Sequence, residues 1–346
     1  MKSVRESPVH TTERVTKDPA FTDKARSWFD RRYDFASEGV YFPHQPIYGF
    51  SRFIEHINNY WRTYHILRAL KELEFSSFLD VGCAEGYFAN IVRRLFGVPA
   101  FGTDFAASGV RRAWEIYGIP GVTGDAHCLP FKDRAFDMVL CSETLEHVAH
   151  PEKVVQELMR VAAKYVVVTT PAARSEAERE EHFEHVDPNL IFDHFHFFTE
   201  EQLREWLGPA SVIQGCAHRR MARFFAWMSD TGSDPRTVCD LYRFVVDTSP
   251  GLSPDTLRRF QSLLAELAQR RKNPLRRLAG PGLLKLLLRV DYFLSRRYPE
   301  ATLTFLTITP CHGTPLVRRQ RRIPNLLQFL LVENRVEPYR LPGGTA

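Results

Sequence analysis

Short apolar runs alternate with amphipathic stretches through the middle of the chain, and the two periods separate cleanly. Phe78-Leu79-Asp80-Val81 is a compact apolar run closed by a glycine turn, the signature of a buried strand. Tyr87–Phe96 then places Phe88, Ile91, Val92 and Leu95 on one helical face. The alternation repeats. Ala100–Asp104 reads as a second strand, Ala107–Tyr117 as a helix, and Val122–Asp125 as a short third strand. Phe136–Cys141 is a fourth. The helix Pro151–Ala163 carries Pro at a first-turn position, with Val154, Val155, Leu158 and Val161 on one face. Tyr165–Thr170, apolar on both faces, is a fifth strand. Thr199-Glu200-Glu201-Gln202 is a capping box opening a helix to Leu207. Ser211–Ala217 and Ala301–Thr309 supply a sixth and a seventh strand. Continuous apolar strands alternating with helices predict an α/β fold, a mostly parallel sheet covered on both faces.

The flanks follow a different pattern. Residues 1 to about 24 are polar and aperiodic, read as a loose arm. From Ala25 to Tyr48 aromatics crowd together (Trp28, Phe29, Tyr33, Phe35, Tyr41, Phe42, Tyr48), to be packed on the main domain or to form a lid over a ligand. Ser51–Leu73 reads as a helix with Ile66, Leu67, Leu70 and Leu73 inward. Between the last two strands lie about eighty residues with helical patterns at Cys239–Val246, Thr256–Arg270 and Leu283–Arg296. Basic residues predominate from Arg258 to Arg297, and another basic run, Arg318-Arg319-Gln320-Arg321-Arg322, precedes a helix or strand at Leu326–Val332. The expected organisation is an arm and lid at 1–60, a core at 61–217, a basic helical insertion at 218–300, the final core strand at 301–314 and a tail at 315–346.

Composition changes this picture little. The net charge of +5 is too small by itself to argue for nucleic acid. No run of eighteen apolar residues exists, and Met1–Glu6 lack an apolar core, so neither a membrane span nor a signal peptide is expected. The six cysteines, at 83, 128, 141, 216, 239 and 311, form no C-x-x-C pair. Reduced thiols and a cytoplasmic setting follow as expectations.

Candidate chemistry sits at the carboxyl ends of the strands, where open α/β sheets bind ligands. The first strand runs into Asp80-Val81-Gly82-Cys83-Ala84-Glu85-Gly86, a D-x-G-x-x-x-G turn rather than the G-x-G-x-x-G of pyrophosphate binders. Its acid would repel a phosphate and suit a cation or hydroxyls. Asp104 follows about twenty residues after the turn, placed to take two ribose hydroxyls. Asp125, in Gly124-Asp125-Ala126, can accept from an exocyclic amine. Together they describe a nucleoside with a modified, partly cationic 5′ end.

At these residues the chain resembles the class I S-adenosylmethionine-dependent methyltransferases, most closely the small-molecule, type 11-like group with quinone and natural-product enzymes. The resemblance rests on Leu79–Gly86, Asp104, Gly124–Ala126 with Leu129-Pro130-Phe131, Phe136–Val139 running into Leu145-Glu146-His147-Val148, Pro151, and His196–Thr199. It spans roughly residues 60–217 plus the strand at 301–309. It implies a Rossmann-like sheet of seven strands, the last antiparallel, and S-adenosyl-L-methionine as cofactor. It further implies that Gly82 and Gly86 admit the methionine part, that Asp104 holds the ribose, and that Asp125 and Ala126 flank the adenine. The full candidate cofactor set is Asp80, Gly82, Cys83, Ala84, Gly86, Asp104, Phe105, Asp125, Ala126, Ser142 and Glu143. The long insertion and the tail depart from the family pattern.

Methyl transfer from a sulfonium needs a general base only for some acceptors. His147 and His196 are the candidates, each set against a purely structural role. His182, His185, Asp187, His194 and His196 form a cluster whose spacing matches no metal geometry. No metal is assigned, and substrate contacts or a packing role are expected instead. The basic insertion reads as an amphipathic lid or oligomer interface, as a peripheral membrane contact through Leu283–Leu288 flanked by Arg276, Arg277, Arg296 and Arg297, or as a nucleic-acid surface. Ser142-Glu143-Thr144, standing where amino-group methyltransferases carry an Asn-Pro-Pro-Tyr-like motif, disfavours methylation of bases. The expected function is methyl transfer to an oxygen, nitrogen or carbon of a small-molecule, lipid-linked or carrier-linked metabolite. The alternatives are an RNA methyltransferase and a non-catalytic binding protein. The sequence leaves the oligomeric state open.

Overall fold

The structure is a computed structural model and describes residues 19–49, 57–184, 186–187, 189–229, 235–269, 281–316, 323 and 325–337. In chain order the described elements are α1 (Pro19–Arg32), the two-residue strands β1 (Ala36–Ser37) and β2 (Val40–Tyr41), α2 (Ile57–Leu70), β3 (Phe78–Val81), α3 (Tyr87–Phe96), β4 (Ala100–Asp104), α4 (Ala107–Tyr117), β5 (Gly121–Thr123) and β6 (Phe136–Ser142). They continue with α5 (Pro151–Val161), β7 (Ala162–Pro171), α6 (Glu176–Phe183), α7 (Glu200–Leu207), β8 (Val212–His218), α8 (Arg219–Ser229), α9 (Pro235–Thr248), α10 (Pro254–Gln269), α11 (Pro281–Arg297) and β9 (Thr302–Pro310). The main sheet has seven strands in the order β5-β4-β3-β6-β7-β9-β8. Strands β3 to β7 pair in parallel, and β9 runs antiparallel to both β7 and β8.

Chain order reverses between β3 and β6. Connections from β3 wind outward through β4 to β5, while β6 starts the other half. The crevice above this switch point is where an open sheet binds a ligand. The strands hold their places because both faces are dry. Leu79, Val139, Val166 and Val168 pack under α5 and α7, while Phe78, Met138, Leu140 and Val167 face α2 and α3. Truncating one of these fully buried side chains, such as Leu140→Ala, would cost about 2–5 kcal/mol. Glycines in the left-handed conformation flank α3 at Gly86 (φ 76°) and Gly97 (φ 66°). The Thr199/Gln202 capping box forms as the sequence predicts, at the start of α7.

Two flanking readings change. A helix starts at Pro19, inside the stretch read as a loose arm, because Phe21, Ala25 and Trp28 share one face and bury it. Leu326–Val332, read as a helix or a strand, narrows to the helix: an α-helical turn, Leu326–Gln328, continued by a π-helical turn, Phe329–Glu333. Residues 51–56, His185, Arg276, Arg277 and residues 317–322, which figure in the sequence reading, lie outside the described residues.

The insertion is joined to the core by a buried polar pair. On α11, Asp291 accepts from His65 Nε2 of α2 at 2.9 Å and from the His218 amide at the end of β8 at 2.8 Å, and both ionisable side chains are fully buried. Farther along, α9 meets the N-terminal segment. Trp28 Nε1 donates to Thr248 Oγ1 at 2.9 Å, Ser37 Oγ donates to Asp240 Oδ2 at 2.7 Å, and the rings of Trp28 and Phe35 pack on Phe244. Phe21 meets Phe195 edge-on at 5.0 Å. The N-terminal segment, the loop before α7 and the insertion therefore share one apolar cluster. No described helix is long and apolar enough to cross a membrane.

Candidate active site

The turn after β3 folds back onto the end of β4. The amides of Gly82 and Cys83 both donate to the Thr103 carbonyl, at 2.8 and 3.0 Å. Ala84 then takes a left-handed conformation (φ 47°), unusual for a residue with a side chain. Asp104 holds it there. Its Oδ2 accepts from the Ala84 amide at 2.9 Å and its Oδ1 from the Ala106 amide at 3.0 Å. Each carboxylate oxygen has a further lone pair, so this clamp leaves Asp104 able to receive hydroxyls. Burial pushes its carboxyl up to about 6 against the two amides that favour the charge.

Gly82 and Gly86 are glycines for different reasons. A Cβ on Gly82 would lie 2.3 Å from Thr144 Oγ1, at the crossing of the β3 and β6 turns. A Cβ on Gly86 would lie 2.8 Å from Ala113 Cβ, so that glycine lets α3 approach α4. Cys83 is fully buried, with its Sγ packed toward Gly102. Phe105 joins Tyr33, Phe29, Ala84 and Ala106 in a small apolar cluster beside the turn. Asp125 Oδ1 accepts from the His127 amide at 2.9 Å and faces His127 Nδ1 at 2.6 Å, which holds its carboxyl below the usual range. It therefore remains an ionised acceptor beside the half-buried Ala126.

Acids crowd the switch point. Asp80 is buried at the end of β3, and burial lifts its carboxyl to about 7, with the Ala89 N–H in the first turn of α3 only partly opposing this. In the turn, Glu85 is wholly buried. Its Oε1 accepts from Tyr41 Oη at 2.7 Å and from the His44 amide, which pins the N-terminal segment to the turn. Tyr33 is also buried there, its phenol pushed up by desolvation and by the negative charge of Asp104 and Glu85. The aromatic segment is thus packed on the core and hydrogen-bonded to the turn after β3.

At the end of β6, Ser142 Oγ pairs with Thr169 Oγ1 at 2.8 Å. Glu143 is left-handed (φ 53°) and accepts from Arg62 Nη1 of α2 at 3.0 Å. Leu145–His147 is a single 3-10 turn. Glu146 is fully buried in it, and burial together with the charge of Glu143 drives its carboxyl well above the usual range.

Of the two expected bases, His147 closes this turn and His196 docks on it through its amide, which donates to the Glu146 carbonyl. His147 Nδ1 donates to the Asp193 carbonyl at 3.0 Å, and burial lowers its pKa well below the usual value. His196 Nε2 donates to the Val148 carbonyl at 2.7 Å, while its ring stacks on Phe198. The rest of the histidine cluster does not converge as a set. His182 Nε2 donates to the His194 carbonyl, and Asp187 caps the loop by accepting from the amides of Asn189 and Ser253. His194 instead lies against His147, ring centroids 5.1 Å apart. Arg62 and His44 carry no sequence signal, and Glu85, Glu146 and Tyr41 lie in motifs that give them no role of their own. For Glu146 the available signal was its place one residue before His147 and three after Glu143.

The acids suit the cofactor the strand ends imply. Asp80 Oδ2, Glu85 Oε2, Glu143 Oε1 and Glu146 Oε1 are buried and lack hydrogen-bond partners among the described residues. Buried carboxylate oxygens without partners are costly and favour a cationic ligand over a phosphate.

Comparisons with known proteins agree with this geometry. Residues 53–210 match the family model described as a methyltransferase domain. Norajmaline N-methyltransferase of Rauvolfia serpentina is 37% identical over 92 residues, covering 25% of this chain and 32% of that protein. Phthiotriol/phenolphthiotriol dimycocerosates methyltransferase 1 of Mycobacterium ulcerans is 33% identical over 112 residues, covering 31% and 40%. Fatty-acid O-methyltransferase of Mycolicibacterium smegmatis is 38% identical over 85 residues, covering 23% and 31%. The chain thus spans well under half the length of these relatives. Among solved structures, the cyclase SpnF is 14% identical with a TM-score of 0.44, over 84% of this chain and 94% of its own, a likeness too loose to bear on function. Residues 53–210, which carry the switch-point sheet up to the start of its β8 edge, thus match a methyltransferase domain.

Proposed function

We propose that the chain transfers the methyl group of S-adenosyl-L-methionine to an oxygen, nitrogen or carbon of a small-molecule, lipid-linked or carrier-linked acceptor. The observation that carries this is the set of buried, unpartnered carboxylate oxygens at the switch point of a seven-stranded sheet. When bound, the cofactor supplies a methyl already activated on a sulfonium. The protein's part is then to bind, orient and exclude water. Asp80 and Glu143 would face the cationic amino acid end, the Gly82 backbone would admit it, Asp104 would take the ribose hydroxyls, and Asp125 with Ala126 would border the adenine. Tyr33, Tyr41 and His44 would close the site from above, held by Glu85.

The relatives named above, whose names give norajmaline, phthiotriol or phenolphthiotriol dimycocerosates and a fatty acid, favour an apolar acceptor. On α11, Leu286, Val290 and Phe293 form an exposed stripe at helical spacing, with Arg289, Arg296 and Arg297 also exposed along the helix. Such a face suits peripheral contact with an anionic lipid surface that presents the acceptor. The test is transfer of tritium from methyl-labelled cofactor to a panel of alkaloid, quinol, fatty-acid and lipid acceptors. Label appearing in one acceptor class together with S-adenosylhomocysteine supports the reading. Cofactor binding with no transfer to any acceptor would favour a non-catalytic binding protein.

A further inference from the structure

The turn after β6 and the loop before α7 bring together a donor set that the sequence keeps 47 residues apart. Glu146, His147 and His194 each offer one ligand atom, and the three atoms lie within 4.8 Å of one another. Two imidazoles and one carboxylate are the set that holds divalent first-row transition ions with coordination positions left open. The surroundings are built to aim these donors. His147 Nδ1 donates to the Asp193 carbonyl at 3.0 Å, which leaves its Nε2 lone pair for a ligand bond and fixes the ring, the usual supporting contact of a metal-bound histidine. Asp193 in turn is held by the Asp187 and His194 amides, which donate to its two carboxylate oxygens at 3.1 and 3.0 Å. The amides of Phe195 and His196 both donate to the Glu146 carbonyl, at 2.8 and 3.1 Å, locking the loop onto the turn.

A second observation points to a ligand. Glu146 is 0% exposed, and its Oε1 has no hydrogen-bond partner among the described residues, while Oε2 accepts from Thr170 Oγ1 at a long 3.4 Å. The nearby guanidinium of Arg62 favours the charged form of Glu146 but donates its Nη1 and Nη2 hydrogens to Glu143 and Asn59. A buried carboxylate with one oxygen left without a hydrogen-bond partner among the described residues, beside two imidazoles, is an arrangement that a divalent cation would relieve.

We propose that Glu146, His147 and His194 bind one divalent transition-metal ion, of the class of Zn²⁺, Fe²⁺ or Co²⁺, whose open positions take an oxygen of the acceptor. The part concerning the acceptor rests on the methyltransferase reading and narrows it to acceptors with a hydroxyl or enol. A hydroxyl held there is acidified by the ion. Its proton leaves to solvent while the O–H electron pair stays on the oxygen as a nucleophile, so neither His147 nor His196 need act as a base. Ion binding itself is independent of that reading.

The probe is Co²⁺ alone, titrated into the chelator-treated full chain and followed by calorimetry and visible absorption. The expected result is one ion per chain with d–d bands of a nitrogen and oxygen donor set. Glu146→Gln and His194→Ala should each weaken binding at least tenfold. Since Glu146 is in the core, His194→Ala, at a partly exposed loop position, is the variant on which the proposal stands, with circular dichroism confirming its fold. No Co²⁺ binding by the wild-type chain, or undiminished binding by folded His194→Ala, would overturn the site. Either result leaves transfer of labelled methyl groups to be judged separately.

Discussion

Asp80 gives the sharpest handle on the cofactor site. Its carboxyl is buried, with one oxygen lacking a hydrogen-bond partner among the described residues, and sits at about 7 in the folded protein against an ordinary 3.8. That rise corresponds to roughly 4 kcal/mol of preference for the neutral form. Between pH 4 and 7 the folded chain therefore holds a proton here that the unfolded chain has released. Stability contributed by this group is fully present below about pH 4, declines by about 1.4 kcal/mol per pH unit as pH rises, and is lost above about 7. Asp80→Asn removes the titration. Asn brings its own constant cost or gain, so the readout is how the wild-type and variant difference changes with pH, not its offset. Urea denaturation without cofactor, at half-unit steps from pH 5 to 8.5, should show the variant gaining on the wild type by some 2–3 kcal/mol and levelling near pH 7. A cationic ligand must bind the charged form, so wild-type affinity for S-adenosylmethionine should rise with pH up to about 7, and the variant's should not. A difference that is flat, or that slopes the other way, would refute a buried, ligand-seeking carboxylate at this position.

Other substitutions separate binding from architecture. Gly82→Ala forces a Cβ to within 2.3 Å of Thr144 Oγ1 at φ 76°, so calorimetry should show cofactor affinity down at least tenfold. Gly86→Ala drives a methyl against Ala113 between α3 and α4, and should instead cost about 1–3 kcal/mol of stability in urea denaturation. Asp291→Ala strands His65 and the His218 amide in the core, and a loss of about 3–5 kcal/mol is expected, with Asp291→Asn recovering part of it. Tyr41→Phe removes a donor from buried Glu85, costs about 1–3 kcal/mol, and should speed proteolysis within residues 19–49 while the sheet core stays protected.

The core was legible because its elements obey one period each. Strands such as β3 and β4 are buried on both faces, so their apolar runs mark them with their bounds intact. The acid at each strand end follows from ordinary βα geometry, and Asp80, Asp104 and Asp125 stand at the carboxyl ends of three neighbouring strands. Other features depend on contacts between distant residues. That Glu85 faces Tyr41 and His44 requires the N-terminal segment to cross the turn, which no local pattern encodes. His194 was read with its sequence neighbours at 182–196, yet its partner is His147, reached because two amides of the loop dock on the Glu146 carbonyl. The helix at Pro19 is weakly amphipathic by itself and is fixed by burying Phe21 and Trp28 against Phe195 and Phe244. The N-terminal segment, the loop before α7 and the insertion also share one apolar cluster, which only the folded chain assembles.

The central claim is that this acid-lined switch point holds S-adenosylmethionine through Asp104. Calorimetric titration of the cofactor into the full chain, beside Asp104→Asn, tests it most directly. The account predicts one site per wild-type chain and at least a tenfold loss of affinity in a variant whose circular dichroism spectrum is unchanged. No binding to the wild-type chain, or equal affinity in the two proteins, would contradict it.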